Sequence, residues 1–377
     1  MTDSLDDLDR LDRGLLYVFV AGPGKGEALA IALPQRGWVL LDGCRTAGEV
    51  GDDLPLVEVL ERWQGADDPV LWMVLTHPHA DHADGFVDTL ERAAPENVGI
   101  IGPLPPGRSA LDLFRAWRDE GAPTDVELNK RVVEAAMLAI AAWEARVGRH
   151  ATALHDGALL IQGAASIRVR APDTQFVPDV LDRGWTSFRK HANELSAVLE
   201  VGFGDTRLLL GGDLPRYRTG TTAPVAAGWD HVLTTHPHLK APHHGLKVAH
   251  HGSDEAQHPE VLQRADDPSA TWITPYSSSR LPCPLDGDGL ERVLSGRGPV
   301  RLTAIPVSCG RQLPRPHPAE LTRAEYAAAI TGDRAAGVDV RPVYVTDPDA
   351  PLWCTAFDDS GHAVAAWRGS VAFTVIP

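Results

Sequence analysis

The stretch Val74-Leu75-Thr76-His77-Pro78-His79-Ala80-Asp81-His82-Ala83-Asp84-Gly85 carries a short apolar run, beginning at Leu71, straight into three histidines and two aspartates. An apolar run of this length, bounded by polar residues, reads as a buried strand. A polar cluster at its end lies where α/β folds place their sites. His77 and His79 are two residues apart, a spacing that puts both imidazoles on one side of extended backbone. Asp81 and His82 follow where a turn or helix start can aim them at a second point nearby. Neutral imidazole and carboxylate are the ligands that zinc and similar divalent ions prefer. A histidine-rich surface loop is the competing reading, and for any one of these histidines it is the better one. For His77, His79, Asp81 and His82 together it fails, because a buried strand end is a costly place to collect polar side chains without a partner.

The whole chain sets bounds on what such a site can serve. Its 377 residues are 44% hydrophobic and 23% charged, ordinary values for a folded protein with a sizeable core. With 35 basic against 51 acidic residues the formal net charge is −16, which disfavours nonspecific binding to nucleic acid or to an anionic membrane. A polyanionic substrate must therefore rely on local positive charge at the site. Cys44, Cys283, Cys309 and Cys354 have no paired metal spacing and are too few for a disulfide scaffold, so a reducing cytoplasm is the expected compartment. The first residues lack the basic and apolar regions of a signal peptide, and no window approaches the roughly 18 consecutive apolar residues of a membrane span.

Upstream of the signature, residues 1–13 are acidic and read as a short helix or frayed tail. Gly14 to Ala21 and Ala28 to Leu33 read as strands around Gly22-Pro23-Gly24-Lys25-Gly26-Glu27. That glycine-rich turn fits no phosphate-binding spacing, and a strand follows it rather than a helix. Trp38 to Leu41 is a further strand that closes on Asp42-Gly43, and Leu54 to Trp63 has helical apolar spacing. Downstream, Phe86 to Ala93 reads as a helix, Val98 to Leu104 as a strand, and residues 108–150 as a helical stretch. Strands return from Ala158 to Pro172. Arg207 to Gly212 is an apolar strand ending on Asp213, a placement that metal contact explains and little else does. His231, His236, His238, His243, His244, His250 and His251 follow, a density that also fits a metal-sequestering tract. Within it, Pro242-His243-His244-Gly245 and Ala249-His250-His251-Gly252-Ser253 are near copies.

The His-x-His-x-Asp-His signature resembles that of the metallo-β-lactamase superfamily. Leu246 to Ser253, with its strand and His-His-Gly-Ser, is similar to the ComEC-type branch related to bacterial competence DNA-uptake proteins. The serine favours His250 and His251 over His243 and His244 as the branch motif. The resemblance implies a single four-layer αβ/βα sandwich over residues 14–377, with two mixed sheets and inserts near 105–150 and 285–340. It makes the glycine-rich turn architectural and puts Asp42 beneath the site, orienting a ligand histidine. It implies that His77 and His79 hold one divalent ion, that Asp81, His82 and one of His250 or His251 hold a second, and that Asp213 bridges them. The expected ions are zinc or, failing that, manganese. Two such ions share a water and lower its pKa toward neutrality. Asp81 doubles as proton acceptor, so Asp81 and Asp213 are the catalytic candidates.

Two positions depart from the branch. Asn193 stands where most superfamily enzymes have a ligand histidine, with His191 as a substitute two residues earlier; both, like Ser253, are also candidate substrate contacts. Cys283-Pro284 replaces a His-Pro. The resulting expectation is a metal-dependent hydrolase of phosphodiesters, in nucleic acid or nucleotides. The alternatives are a hydrolase of an ester, lactone or thioester, and a metal-binding regulatory protein with a degenerate site. No membrane partner is expected, and an oligomer is open.

Overall fold

A computed structural model describes residues 3–23, 26–35, 37–46, 54–101, 127–181, 191–216, 227–265, 269–276, 281–282, 289–306, 318–335 and 351–377. The strands form two nine-stranded mixed sheets. The first contains β1 (Asp3–Ser4), β2 (Leu16–Ala21), β3 (Ala28–Leu33), β4 (Gly37–Asp42), β5 (Val70–Val74), β6 (Asn97–Ile101), β7 (Thr152–Leu154), β16 (Leu352–Phe357) and β17 (Ala363–Arg368). Their spatial order is β1-β17-β16-β2-β3-β4-β5-β6-β7. The second contains β8 (Leu159–Ile161), β9 (Ala165–Ala171), β10 (Val198–Phe203), β11 (Thr206–Gly211), β12 (Gly245–Lys247), β13 (Ala270–Ile273), β14 (Val300–Leu302), β15 (Glu320–Thr322) and β18 (Phe373–Ile376). Its order is β15-β18-β14-β13-β12-β11-β10-β9-β8.

The alternation of β2 explains the layering. All six of its residues are buried, although successive side chains point to opposite faces. Leu16, Val18 and Val20 enter a core shared with Ile167, Val169, Leu199 and Leu208 of the second sheet, so the sheets lie face to face. Tyr17 and Phe19 enter another core, formed with helices α1 (Pro55–Trp63), α3 (Phe86–Ala93), α4 (Glu127–Val147) and α5 (Phe176–Leu181). On the far side, Val198, Leu209, Leu246 and Ile273 pack beneath α6 (Gly228–Thr235), α7 (Gly289–Arg297) and α8 (Arg323–Ala335). Helix, sheet, sheet and helix make the four-layer αβ/βα sandwich.

Helix α1 illustrates how the outer layers attach. Pro55 sits at the start, where its missing N–H costs nothing, and Leu56, Val59, Leu60 and Trp63 form one buried stripe. Each such side chain contributes about 1.5–3 kcal/mol by leaving water. Leu60→Asp would put an unpaired charge against the sheet and detach the helix.

The acidic N-terminal segment and the stretch from 285 to 340 read differently in the structure than in the sequence. The acidic N-terminal segment is packed: β1 pairs with β17, and Leu5 and Leu8 are buried in the core. The stretch from 105 to 150 shows α4 in its second half, while residues 102–126 lie outside the described set. Of the stretch 285–340, the described part supplies α7, β14, β15 and α8, so β14 and β15 are strands of the second sheet. The strand read at Val343 to Val345, the Ser277 to Arg280 turn and Cys283-Pro284 also lie outside the described residues. Among those described, no helix is long and apolar enough to cross a membrane.

Candidate metal centre

Parallel pairing gathers the site at one edge. β4 and β5 run parallel in the first sheet, and β11, β12 and β13 run parallel in the second. Their C-terminal ends lead respectively to Asp42, His77, Asp213, His250 and Thr274. The two edges are tied by Ala197, whose N–H donates to the Thr76 carbonyl at 2.9 Å and whose carbonyl accepts from Gly212 at 3.2 Å. After β5 the chain bends at His77, where the His79 N–H donates to the His77 carbonyl at 3.1 Å, and from an extended His79 the short helix α2 (Ala80–Ala83) turns Asp81 and His82 inward. Gly85 closes this turn with φ +97°, and a Cβ there would lie 2.9 Å from the Cys44 carbonyl oxygen, so only glycine fits.

The deepest layer is a buried hydrogen-bond network. Asp42 takes a left-handed φ of +59° and accepts from Thr76 twice, from the N–H and the hydroxyl, each at 2.7 Å. Its Oδ2 also lies 2.7 Å from His82 Nδ1. A carboxylate there assigns the proton to Nδ1, which leaves Nε2 of His82 for the centre. The Thr76 hydroxyl donates to Asp42, so it accepts from His77 Nδ1 at 3.3 Å and leaves Nε2 of His77 facing inward as well. His251 repeats the pattern on the second sheet, with Nδ1 2.8 Å from the Thr274 carbonyl.

Around the centre, Asp213 lies between two histidine groups. One of its oxygens is 3.6 Å from His77 Nε2 and 3.8 Å from His251 Nε2, and the other is 3.4 Å from His82 Nε2. Asp81 reaches His251 Nε2 at 3.0 Å and His82 Nε2 at 3.8 Å. His79 Nδ1 lies 3.1 Å from His77 Nε2. Ligand atoms of His77, His79 and Asp213 fall within 4.8 Å of one another, as do those of Glu27, His82, Asp213 and His251.

Charge and burial act against each other here. Burial disfavours a charged His82, but Asp213, Glu27, Asp42 and Asp81 outweigh it and hold the imidazole well above its ordinary value. The same contest, with Asp213 and Asp81 in the main opposing role, raises His251. His77 and His79 go the other way, both lowered by burial and by neighbouring histidines. Asp213 is well below the carboxylate range: burial opposes this, and His82, His251 and His250 overcome it. Asp81 is likewise lowered against burial, by His82 and His251.

A divalent cation fits this donor set. His82 Nε2 and Asp213 Oδ1 are buried and face each other at 3.4 Å, too long and poorly directed for a well-formed hydrogen bond, and neither has another hydrogen-bond partner among the described residues. Orphaned polar atoms cost roughly 1–3 kcal/mol each, and a cation between them removes that cost. Imidazole and carboxylate in this number match zinc or manganese chemistry.

The remaining candidates separate clearly. Asn193 Nδ2 is 3.4 Å from His250 Nε2, and its Oδ1 is buried and unpartnered among the described residues. His191 turns Nδ1 toward Glu194 at 3.4 Å and packs against Phe176. The Ser253 N–H donates to the His250 carbonyl, closing the turn that holds His250 and His251, both with left-handed φ. His243 and His244 precede β12 and His250 and His251 follow it, so the strand carries the two copies to opposite ends.

Glu27 is the residue that sequence reasoning missed. It is 1% exposed, accepts from the Thr274 hydroxyl at 2.6 Å and pairs with the fully buried Lys247. Its oxygens lie 3.6 Å from Nδ1 of both His82 and His251. With Lys247 and Thr274 on its oxygens and only Nδ1 edges beside it, Glu27 backs the histidines instead of facing a cation. Its signal in the sequence was a lone carboxylate at the mouth of the fully apolar strand β3.

A scan against protein families found no match, and neither did a search of curated proteins. Similar solved structures exist. A metallo-β-lactamase from Cronobacter sakazakii is 15% identical, covering 53% of this chain and 62% of that one, with a TM-score of 0.29. One from Staphylococcus aureus subsp. aureus COL is 11% identical, covering 54% and 44%, with a TM-score of 0.30. A protein of unknown function from Enterococcus faecalis V583 is 13% identical, covering 88% and 70%, with a TM-score of 0.33. The chain thus spans less than two thirds of the length of either metallo-β-lactamase.

Proposed function

We propose that this chain is a metal-dependent hydrolase of the metallo-β-lactamase superfamily and that its substrates are phosphodiesters. The observation that carries the hydrolase reading is the position of Asp213, whose two oxygens lie within 3.4–3.8 Å of Nε2 of His77, His82 and His251, with one oxygen unpartnered. What supports the phosphodiester reading is the Leu246 to Ser253 resemblance, which belongs to the nucleic-acid-related branch.

Divalent ions held by these residues would supply Lewis-acid charge to the attacked phosphoryl group and acidity to a water. The chain's own contributions are positional. Asp42 and the Thr274 carbonyl fix the tautomers of His82 and His251, and Asp213 spans both histidine groups. Asp81, kept ionised against burial by His82 and His251, would accept the proton of the attacking water. The P–O bond to the leaving alkoxide then breaks as the new P–O bond forms.

The test is a panel of phosphodiesters with added zinc or manganese, run beside an ester, lactone and thioester panel. Turnover of a phosphodiester that is lost in Asp81→Ala and Asp213→Ala supports the reading. Mutant-sensitive turnover of only the acyl substrates replaces it, and a metal-loaded protein with neither is the regulatory binder that Asn193 suggests.

A further inference from the structure

We propose that Glu27 is a positioning residue that makes the two histidine groups unequal, so that Asp81, His82, His251 and Asp213 take a divalent ion before His77, His79 and Asp213 do. This rests on the metal-centre reading above and concerns the order in which the centre fills.

The two groups differ in what stands behind their imidazoles. Behind His77 is a neutral hydroxyl, that of Thr76. Behind His82 are two carboxylates, Asp42 at 2.7 Å and Glu27 at 3.6 Å, and Glu27 also reaches the back of His251 at 3.6 Å. Asp42 holds the Nδ1 hydrogen bond of His82 and the Thr274 carbonyl that of His251, so Glu27 acts on both rings through its charge at 3.6 Å and through the Thr274 hydroxyl it anchors, and negative charge behind a ligand histidine makes it a better donor. One residue thus serves both histidines of one group and neither of the other.

Holding a carboxylate in that place requires a counter-charge. A buried unpaired carboxylate is costly and tends to take up a proton, which would end its influence. Lys247, itself 0% exposed, supplies the charge, and the Thr274 hydroxyl completes the anchoring at 2.6 Å. Glu27 precedes β3 of the first sheet while Lys247 ends β12 and Thr274 follows β13 of the second. The pair therefore also bridges the sheets beneath the centre.

The experiment titrates full-length metal-free protein with Co2+, followed by its visible absorption, and with Zn2+ in competition with a chelator. The natural protein is expected to bind in two unequal steps, and His79→Ala to lose only the second. Glu27→Gln should weaken the first step by about 10-fold or more and change its Co2+ spectrum, with the second step little altered. Because Glu27→Gln strands a buried lysine, Glu27→Gln/Lys247→Met is run beside it with folding checked by circular dichroism; it should show the same loss. Glu27→Asp should recover part of it. A single step in the natural protein overturns the proposal, as does equal weakening of both steps, or no weakening, in the folded double variant. Cleavage assays are scored apart. Ordered binding without phosphodiester turnover removes the proposed function and leaves the role of Glu27 standing, and turnover with two equal steps does the reverse.

Discussion

Nδ1 of His82 lies 2.7 Å from Oδ2 of Asp42, with both side chains fully buried and the opposite face of the imidazole turned to the centre. Asp42 also holds the backbone and hydroxyl of Thr76, so it sets the strand end as well as the ring. Asp42→Ala should cost roughly 3–5 kcal/mol of stability, since it leaves buried donors without an acceptor. Asp42→Asn preserves the volume and should keep the fold, yet lower metal affinity by about 10- to 100-fold. Elemental analysis after dialysis against a weak chelator checks this. Full metal content in Asp42→Asn would show that the pair is structural only.

The duplicated His-His-Gly copies make a second prediction. His250→Ala/His251→Ala removes the only copy at the site edge, and metal content should fall. His243→Ala/His244→Ala acts at the other end of β12 and should leave metal content nearly intact, whatever it does to stability. The opposite pattern in bound zinc would reverse the assignment.

His243 offers a test by pH. Burial pushes its imidazole down to about 3, helped by Arg297 and Arg207. The folded protein keeps His243 neutral, while the unfolded chain protonates it near pH 6.5. Its stability contribution is therefore present above about pH 6.5 and is lost progressively as pH falls toward 3. At pH 4.5 the loss is roughly 2–3 kcal/mol. His243→Leu removes the titration with little change in volume. Urea midpoints of the metal-free proteins from pH 7.5 to 4.5 should fall more steeply for the natural protein than for His243→Leu. Parallel curves would place the acid sensitivity elsewhere.

What the sequence disclosed follows contact distance along the chain. The signature was legible because the apolar strand and its polar end are contiguous, and α1 because its stripe repeats within nine residues. Glu27 was not, since its partners Lys247 and Thr274 stand 220 and 247 residues away and nothing local marks a carboxylate as paired. The two His-His-Gly copies looked alike apart from a serine; the direction of β12 between them separates them in space. The N-terminal segment read as a short helix or frayed tail because Asp3, Asp6, Asp7 and Asp9 surround the two leucines that anchor it; it contains a short helical turn, Leu5–Asp7, and is packed.

Charge and chemistry pull the substrate prediction in opposite directions. A net charge of −16 repels a polyanion, but screening at physiological salt confines that repulsion to about 8 Å. Two divalent ions would place four positive charges at the point of attack, where little screening intervenes. Local attraction should win for a short or single-stranded segment that reaches the centre with few other contacts. A long duplex lies against more of the acidic surface, and with 35 basic residues against 51 acidic ones few cations are left over to neutralise its phosphates. Metal-dependent cleavage of small phosphodiesters or single-stranded nucleic acid should therefore exceed cleavage of long duplex at equal phosphate concentration. Removing metal with a chelator should abolish it, and adding zinc or manganese should restore it. Raising salt should close part of the gap by screening the acidic surface, unless basic contacts outside the centre hold the duplex. Faster cleavage of duplex than of single strand at low salt would mean that local cationic contacts, and not the net charge, govern access to Asp81 and Asp213.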